Sequence, residues 1–200
     1  MNMVKPSFVR AIPWVLLISG FVGLVCSLAL TYDQIKVWQN PNFRPICNLN
    51  PVVSCGSVIS SQQGHIFGIP APITGLILFP VFITFGIVLL AGAKFKQWLW
   101  ISLEAGVLGG FVYAIWLFLL STYKVHALCP FCLATDIVVY TSAWYVTLYN
   151  IERGFIRLPK RAKAVDLFIR RHHLDILLLW FLALFAFIMH HFWYYYGKHL

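Results

Sequence analysis

Two thiols at the edge of a long apolar run are the residues of this sequence best suited to do chemistry. They are Cys129 and Cys132, in the stretch His126-Ala-Leu-Cys-Pro-Phe-Cys-Leu-Ala-Thr-Asp136. At the start of a helix, unpaired N–H groups and the helix macrodipole stabilise a thiolate, the nucleophilic form of cysteine, and Lys124 and His126 can add positive charge. The two sulfurs also stay together when their disulfide is reduced. The motif therefore predicts reversible thiol–disulfide exchange.

A second pair of cysteines, Cys47 and Cys55, lies in the segment 33–69. Four cysteines allow three pairings, and closeness in sequence favours Cys47–Cys55 with Cys129–Cys132. A structural zinc site and two inert structural disulfides remain alternatives, although the spacing between Cys47 and Cys55 is long for a zinc site. We predict a redox relay and no metal. Cys26, inside an apolar stretch, is interpreted as a packing thiol.

The composition indicates a membrane protein. Of the 200 residues 60% are hydrophobic and 10% are charged, and the mean hydropathy is +0.80. About 20 apolar residues are needed to cross a bilayer as a helix. The uncharged stretches long enough to do so are 11–32, 66–93, 105–123 (from about 97 if Glu104 is tolerated), 127–151 with Asp136 inside it, and 176–197. The predicted fold class is an all-α polytopic membrane protein with five transmembrane helices.

The positive charges predict the orientation. With a cytoplasmic N-terminus, eleven of the fifteen Lys and Arg residues fall on the cytoplasmic side and four on the other. This is the positive-inside bias of membrane proteins. It places Cys47, Cys55, Cys129 and Cys132 on the oxidising, extracytoplasmic side, where disulfides persist. It also explains the net charge of +9 without a nucleic-acid partner.

Several shorter patterns predict how the helices are connected and packed. Ser54 and Gly64 are start and stop signals for a short helix over 54–63, able to cover the membrane face. Gly106 and Gly110, with Gly109 beside them, and the pair Ser19 and Gly23 are typical of closely packed helix surfaces. Glu104 is expected to be a snorkelling or paired acid near the inner membrane surface.

The cysteine-bearing segments resemble the vitamin K epoxide reductase family, in particular bacterial members that oxidise thiols at the expense of a membrane quinone. The matching motifs are Cys47-Asn-Leu-Asn-Pro-Val-Val-Ser-Cys55-Gly-Ser-Val, Ser60-Ser61, Phe67-Gly-Ile-Pro70 followed by Gly75, and Leu128-Cys-Pro-Phe-Cys132. The resemblance covers roughly residues 11–150.

The resemblance implies a four-helix bundle around a quinone, of the ubiquinone or menaquinone type, capped by the short helix. It implies that Cys132 delivers electrons to the quinone, that Cys129 receives them from Cys55 through a mixed disulfide, and that Cys47 meets an external partner. Ser61 matches a serine near the catalytic cysteines. Ala71 stands where family members often have an asparagine, and alanine cannot donate a hydrogen bond to a quinone carbonyl.

Asp136 stands where animal members of the family have a tyrosine that contacts the quinone. It lies one helical turn, about 6 Å, below Cys132 on the same face. An acid at that depth is costly unless it is paired or lines a cavity. We expect it either to stay protonated and supply a hydrogen bond or proton to the quinone, or to form a structural hydrogen bond with a neighbouring helix.

The resemblance also implies the division of the chain and its activity. Residues 1–152 are expected to form the catalytic domain with the outer loop 33–69, 153–173 a basic cytoplasmic loop, and 174–200 the fifth helix. The expected function is disulfide formation in a bacterial plasma membrane, with a separate thioredoxin-fold, DsbA-like protein as electron donor. The alternatives are a vitamin K quinone or epoxide reductase, and a non-catalytic membrane scaffold stapled by disulfides.

Overall fold

The fold consists of five helices long and apolar enough to cross a membrane, among the residues that the structure describes. A computed structural model describes residues 7–40, 43–45, 47–48, 52–59, 65–66, 69–156 and 168–193. The elements are α1 (Ser7–Gln39), α2 (Cys55–Ile59), β1 (His65–Ile66), β2 (Ile69–Pro70), α3 (Ala71–Leu90), α4 (Gln97–Leu120), α5 (Pro130–Glu152) and α6 (His173–His191). Strands β1 and β2 form a small antiparallel pair. The structure confirms the predicted fold class.

The first helix is longer than its uncharged stretch. The prediction ended the apolar run at residue 32 and began the outer loop at 33, whereas α1 continues to Gln39. Nothing in the sequence stops the helix before Pro41, and Asp33 and Gln34 are buried against the rest of the bundle. The predicted loop boundary at 33 is therefore wrong, and the loop begins after Gln39.

The helices surround an open space between α3 and α4. Helix α1 packs against α3 and α5, and α4 packs against α5, whereas α3 and α4 barely touch. A buried apolar core joins the packed helices through residues such as Leu16, Trp100, Val107 and Val146. The end of the bundle where α1 finishes and α5 begins carries the four cysteines of the two pairs, and we call it the cysteine end.

Glycines let α1 and α3 approach each other closely. A Cβ added to Gly20 would lie 2.7 Å from Ile83 Cγ1 and 2.8 Å from the Ile83 backbone nitrogen. A Cβ on Gly23 would overlap the ring of Phe79. The prediction of a closely packed surface at Ser19 and Gly23 is thus confirmed, since Ser19 is buried as well.

The glycines of α4 have a different role from the one predicted. A Cβ added to Gly106 or Gly109 would meet nothing within 4 Å, and one on Gly110 would lie 3.7 Å from Val139 Cγ1. The three glycines line the space between α3 and α4. The predicted close helix packing at Gly106 is therefore wrong, because α3 stands away from this face.

Glu104 joins α4 to α5 at the end of the bundle opposite the cysteines. Its Oε1 accepts a hydrogen bond from Thr147 Oγ1 at 2.6 Å and its Oε2 one from Asn150 Nδ2 at 2.9 Å. The carboxyl group is a paired acid, as one of the two expectations had it, but it is buried inside the bundle.

Helix α6 lies on the outside of the bundle, and none of its residues is buried. It is fixed near its two ends. Trp144 Nε1 donates a hydrogen bond to the His173 carbonyl at 3.1 Å, and Phe192, just past the other end, packs fully buried against Val52 and Leu128. The fifth helix thus contacts the loop segments that carry the cysteines.

We predict that Gly20→Ala destabilises the protein and that Gly106→Ala does not. Alanine at position 20 would clash with the backbone of α3, at a cost of about 1–3 kcal/mol, as for other overpacked sites. Alanine at position 106 would extend into open space. Apparent thermal midpoints of the two variants in detergent test this. Equal midpoints for the two variants would contradict the interpretation that α1 and α3 pack too closely at Gly20 to admit a side chain.

Candidate functional site

A short backbone bridge brings the two cysteine segments together. Val53 pairs with Leu128 in a parallel bridge. The Leu128 N–H donates to the Val52 carbonyl at 2.6 Å, and the Ser54 N–H donates to the Leu128 carbonyl at 3.0 Å. The bridge ends one residue before Cys129 and two residues before Cys55, so it fixes both cysteines at the same place.

The loop pair forms a disulfide at this place. Cys47 is bonded to Cys55, the first residue of α2, as closeness in sequence predicted. Asn48 holds the loop against the start of α2, because its Oδ1 accepts hydrogen bonds from the Gly56 N–H at 3.0 Å and from Ser54 Oγ at 3.1 Å. Ser54 Oγ in turn accepts from the Ser57 N–H at 3.3 Å, which confirms Ser54 as the start signal of the short helix. Its predicted end at Gly64 lies outside the described residues.

The Cys-x-x-Cys pair lies at the start of α5, as predicted, with both thiols free. The Cys132 N–H donates to Cys129 Sγ at 3.2 Å, so that Cys129 caps the helix. This hydrogen bond fixes the Cys129 sulfur at the first turn of α5. The predicted Cys129–Cys132 disulfide is absent from this redox state.

The two pairs meet sulfur to sulfur. Cys129 Sγ lies 3.4 Å from Cys55 Sγ, and both side chains are buried, with 2% and 0% of their surface exposed. Thiol–disulfide exchange requires a thiol in contact with a disulfide sulfur. A free thiol in contact with one sulfur of a disulfide can exchange with it while the backbone stays in place.

Cys132 is the more exposed thiol of the helix pair. Both Cys129 and Cys132 line a cavity of about 700 Å³, which we call the main cavity. The walls come from α1, α3, α4 and α5 and are mostly apolar, with Leu78, Phe82 and Phe118 among the lining residues. Cys132 is only half-buried, so the second thiol of the motif is open to whatever occupies this cavity.

A few polar groups interrupt the apolar walls. Asp136 lines the main cavity one turn below Cys132, and none of the described residues gives its carboxyl group a hydrogen-bond partner. Tyr113 of α4 lines the same cavity, and its buried hydroxyl oxygen has no hydrogen-bond partner among the described residues. Unpaired polar groups in an apolar cavity are costly unless a ligand completes them.

The other residues singled out from the sequence fall in several places. Ala71, the first residue of α3, lines the main cavity, whereas Ser61 lies outside the described residues. Lys124 is exposed, and the ring of His126 stacks on that of His191 with 6.2 Å between their centroids. In the part of the chain that the structure describes, no three His, Cys, Asp or Glu side chains gather as metal ligands do.

Two polar residues of the site were missed in the sequence. Asp33, buried near the end of α1, has its Oδ2 atom 3.8 Å from Cys47 Sγ. Asp33 directly follows an apolar stretch, where an acid usually indicates that the membrane-spanning segment has ended. Nothing in the sequence indicated that its side chain is buried. Tyr113 is one tyrosine among nine, and only the position of the cavity distinguishes it.

Comparison with known proteins agrees with this geometry. No curated protein matches the chain. The family model described as the vitamin K epoxide reductase family matches residues 14–147, from the first turns of α1 to the last turns of α5, and includes Cys47, Cys55, Cys129 and Cys132. A match over this much of the chain, with free and bonded cysteines in contact beside an apolar cavity, establishes the relationship. The chain belongs to the vitamin K epoxide reductase family.

Proposed function

We propose that the protein forms disulfides by passing electrons from a thioredoxin-fold partner, through Cys47 and Cys55 and then Cys129 and Cys132, to a membrane quinone. Family membership supports quinone-linked thiol redox activity. The observation that carries the proposal is the 3.4 Å contact between Cys129 Sγ and Cys55 Sγ. It joins a disulfide in the loop to a thiol pair beside the main cavity.

The exchange within the protein proceeds in two displacements. A reduced Cys55 attacks Cys129 of the oxidised helix pair, and Cys132 leaves as a thiolate. Cys47 then attacks Cys55 in the mixed disulfide, and Cys129 leaves with the electron pair. The result is a Cys47–Cys55 disulfide beside two free thiols, which is the redox state of this structure.

The main cavity fits a quinone in shape and chemistry. A volume of about 700 Å³ lies within the usual range for small-molecule sites, and the lining is mostly apolar. The unpaired hydroxyl of Tyr113 can donate a hydrogen bond to a carbonyl oxygen. When bound, a quinone would accept the two electrons of the reduced Cys129–Cys132 pair together with two protons.

Helix geometry brings Tyr113 and Asp136 to one depth. Gly110 and Val139 mark a point where α4 and α5 are close, with 3.7 Å between an added Cβ and Val139 Cγ1. Tyr113 and Asp136 each lie three residues, about 4.5 Å, from that point towards the cysteine end. Cys132 lies about 6 Å nearer that end than Asp136. The two polar groups would thus hold the polar atoms of a ligand just below the reactive thiol.

Asp136 has a proposed role in proton supply. Reduction of a quinone consumes protons inside an apolar space where water is scarce. A carboxyl group on the same helix face as Cys132, without a hydrogen-bond partner in the described part of the chain, is suited to donate one. The alternative expectation, a structural hydrogen bond to a neighbouring helix, finds no support among the described residues.

The proposed orientation puts the cysteine end outside the cytoplasmic membrane. Arg10, Lys94, Lys96, Arg153 and Arg170 lie at the opposite end of the bundle, as the positive-inside rule requires of the cytoplasmic side. Thiols at the outer face can meet a soluble DsbA-like partner. We also propose that residues 1–152 form the catalytic domain and that the basic segment 153–173 and the segment 174–200, which contains most of α6, follow it.

The central experiment is oxidation of a reduced DsbA-like protein by the purified chain, with and without added quinone. We expect quinone-dependent turnover in the wild type and none in Cys132→Ala, because that variant cannot pass electrons to the quinone. Cys47→Ala should block oxidation of the protein substrate and spare oxidation of a small dithiol, which does not have to dock on Cys47. Formation of new disulfides is followed by thiol titration.

A folded wild type that lacks turnover with both ubiquinone and menaquinone analogues would refute this function. The stapled-scaffold alternative would then gain support, in particular if loss of the cysteines lowered only the abundance of the protein. Turnover with quinone epoxide but no oxidation of protein thiols would favour the vitamin K reductase alternative.

We predict that Tyr113→Phe weakens quinone binding about three- to tenfold, the usual effect of removing one neutral hydrogen bond. Tyr140→Phe is the matched control. The Tyr140 hydroxyl is also buried with no partner in the described part of the chain, but Tyr140 lines a second cavity of about 290 Å³ near α6. Equilibrium binding is measured for a quinone and for an analogue without carbonyl oxygens. The comparison separates the loss of a hydrogen bond from a change in packing. If Tyr113→Phe weakened binding of both ligands equally, the loss would be one of packing.

A further inference from the structure

Asp33 is a buried acid that the relay described above does not use. It lies in the last two turns of α1 with 4% of its surface exposed. Its Oδ2 atom is 3.8 Å from Cys47 Sγ, fourteen residues along the chain. Among the described residues, only Cys47 is placed to donate a hydrogen bond to this carboxyl group, and only when its sulfur carries a hydrogen. A buried carboxyl group placed against a reactive sulfur calls for a chemical explanation.

Reduction of the disulfide puts a proton on the Cys47 sulfur, next to Asp33. In the present state Cys47 is bonded to Cys55 and has no S–H to donate. After reduction Cys47 carries a thiol, and Asp33 is the acceptor next to it. The nucleophile in disulfide exchange is the thiolate, so Cys47 must lose this proton before it can attack Cys55. Cys47 is 6% exposed, so water has little access to the thiol and a nearby base is needed.

We propose that Asp33 is the general base that deprotonates Cys47 when the loop disulfide re-forms. This inference rests on the proposed relay and adds a catalytic residue to it. The Cys47 S–H bond breaks and the proton moves to Asp33. The Cys47–Cys55 bond forms, the Cys55–Cys129 bond breaks, and the electron pair leaves on Cys129. When the partner later reduces the loop disulfide, Asp33 returns the proton to Cys47.

The position of Asp33 follows from the length of α1. The helix continues past the apolar stretch to Gln39 and carries the acid to the level of the loop cysteines. The basic side chain nearest to it on the same helix, Lys36, lies with its ammonium group 5.6 Å from the centre of the Tyr32 ring. Asp33 has no described ion pair with it, and its carboxyl group therefore remains available to the sulfur.

The test measures how long the Cys55–Cys129 disulfide survives. In the Cys132→Ala background this bond cannot collapse back onto Cys132, so Cys47 is the relay cysteine that resolves it. The reduced full-length protein is oxidised with a pulse of diamide and quenched with an alkylating agent at successive times. The bond is quantified by peptide mass spectrometry. We expect Asp33→Asn to slow its resolution on the order of 100-fold, as loss of a general base does.

Matched variants separate catalysis from structure. Asp33→Glu keeps the carboxyl group and should restore much of the rate. Asp175→Asn removes an exposed acid at the far end of the bundle and should leave the rate unchanged. An unchanged lifetime in Asp33→Asn would overturn the inference. A slowing that Asp33→Glu fails to relieve would overturn it as well.

Failure of the relay itself is recognised separately. Cys47→Ala with Cys132→Ala should accumulate the Cys55–Cys129 disulfide without resolving it, and its absence there would refute the relay and not only Asp33. If Asp33→Asn does not fold, infrared spectra of the reduced wild type decide. The S–H stretching band of Cys47 is assigned by its loss in Cys47→Ala. A band at the frequency of a thiol without a hydrogen bond overturns the proposal, and a band at the frequency of a hydrogen-bonded thiol supports it.

Discussion

The contact between Cys55 and Cys129 is the interaction on which the rest of the site depends. Sulfur atoms exchange disulfides only when they touch, and these two belong to segments 74 residues apart in sequence. The contacts of Asn48 and the disulfide fix Cys55 relative to the loop, but they do not fix it relative to α5. The bridge between Val53 and Leu128 fixes the position of Cys55 relative to Cys129. The fully buried Phe192 packs against Val52 of one segment and Leu128 of the other. Two backbone hydrogen bonds and one aromatic side chain thus set the distance between the two redox pairs.

The same arrangement places one thiol of each pair towards a different environment. Cys55 and Cys129 are buried in contact, Cys47 lies beside Asp33, and Cys132 opens to the main cavity. The proposed relay between a soluble protein and a lipid-soluble oxidant would require this separation, because the two partners cannot reach the same sulfur.

The main cavity exists because the bundle is packed tightly on one side and loosely on the other. Glycines of α1 and α3 bring those helices into backbone contact, and Glu104 bonds α4 to α5 through Thr147 and Asn150. With both pairs fixed, α3 and α4 remain apart. The glycines of α4 face the gap and leave it wide. Glycines therefore allow close helix packing between α1 and α3 but leave open space beside α4, because no described helix packs against that face of α4.

The sequence by itself determined the membrane class, the five helices and the pairing of Cys47 with Cys55, because hydropathy, charge and short spacings are local properties. It also indicated the family through the motifs around the four cysteines. It misjudged the end of α1 and the packing of Gly106, and it gave no sign of Asp33 or Tyr113. Only the tertiary structure decided which sulfurs touch, which acid meets Cys47 and which helices leave a cavity. These depend on contacts between distant segments, whose free energies are set by the packing of the whole bundle and not by any stretch of sequence alone.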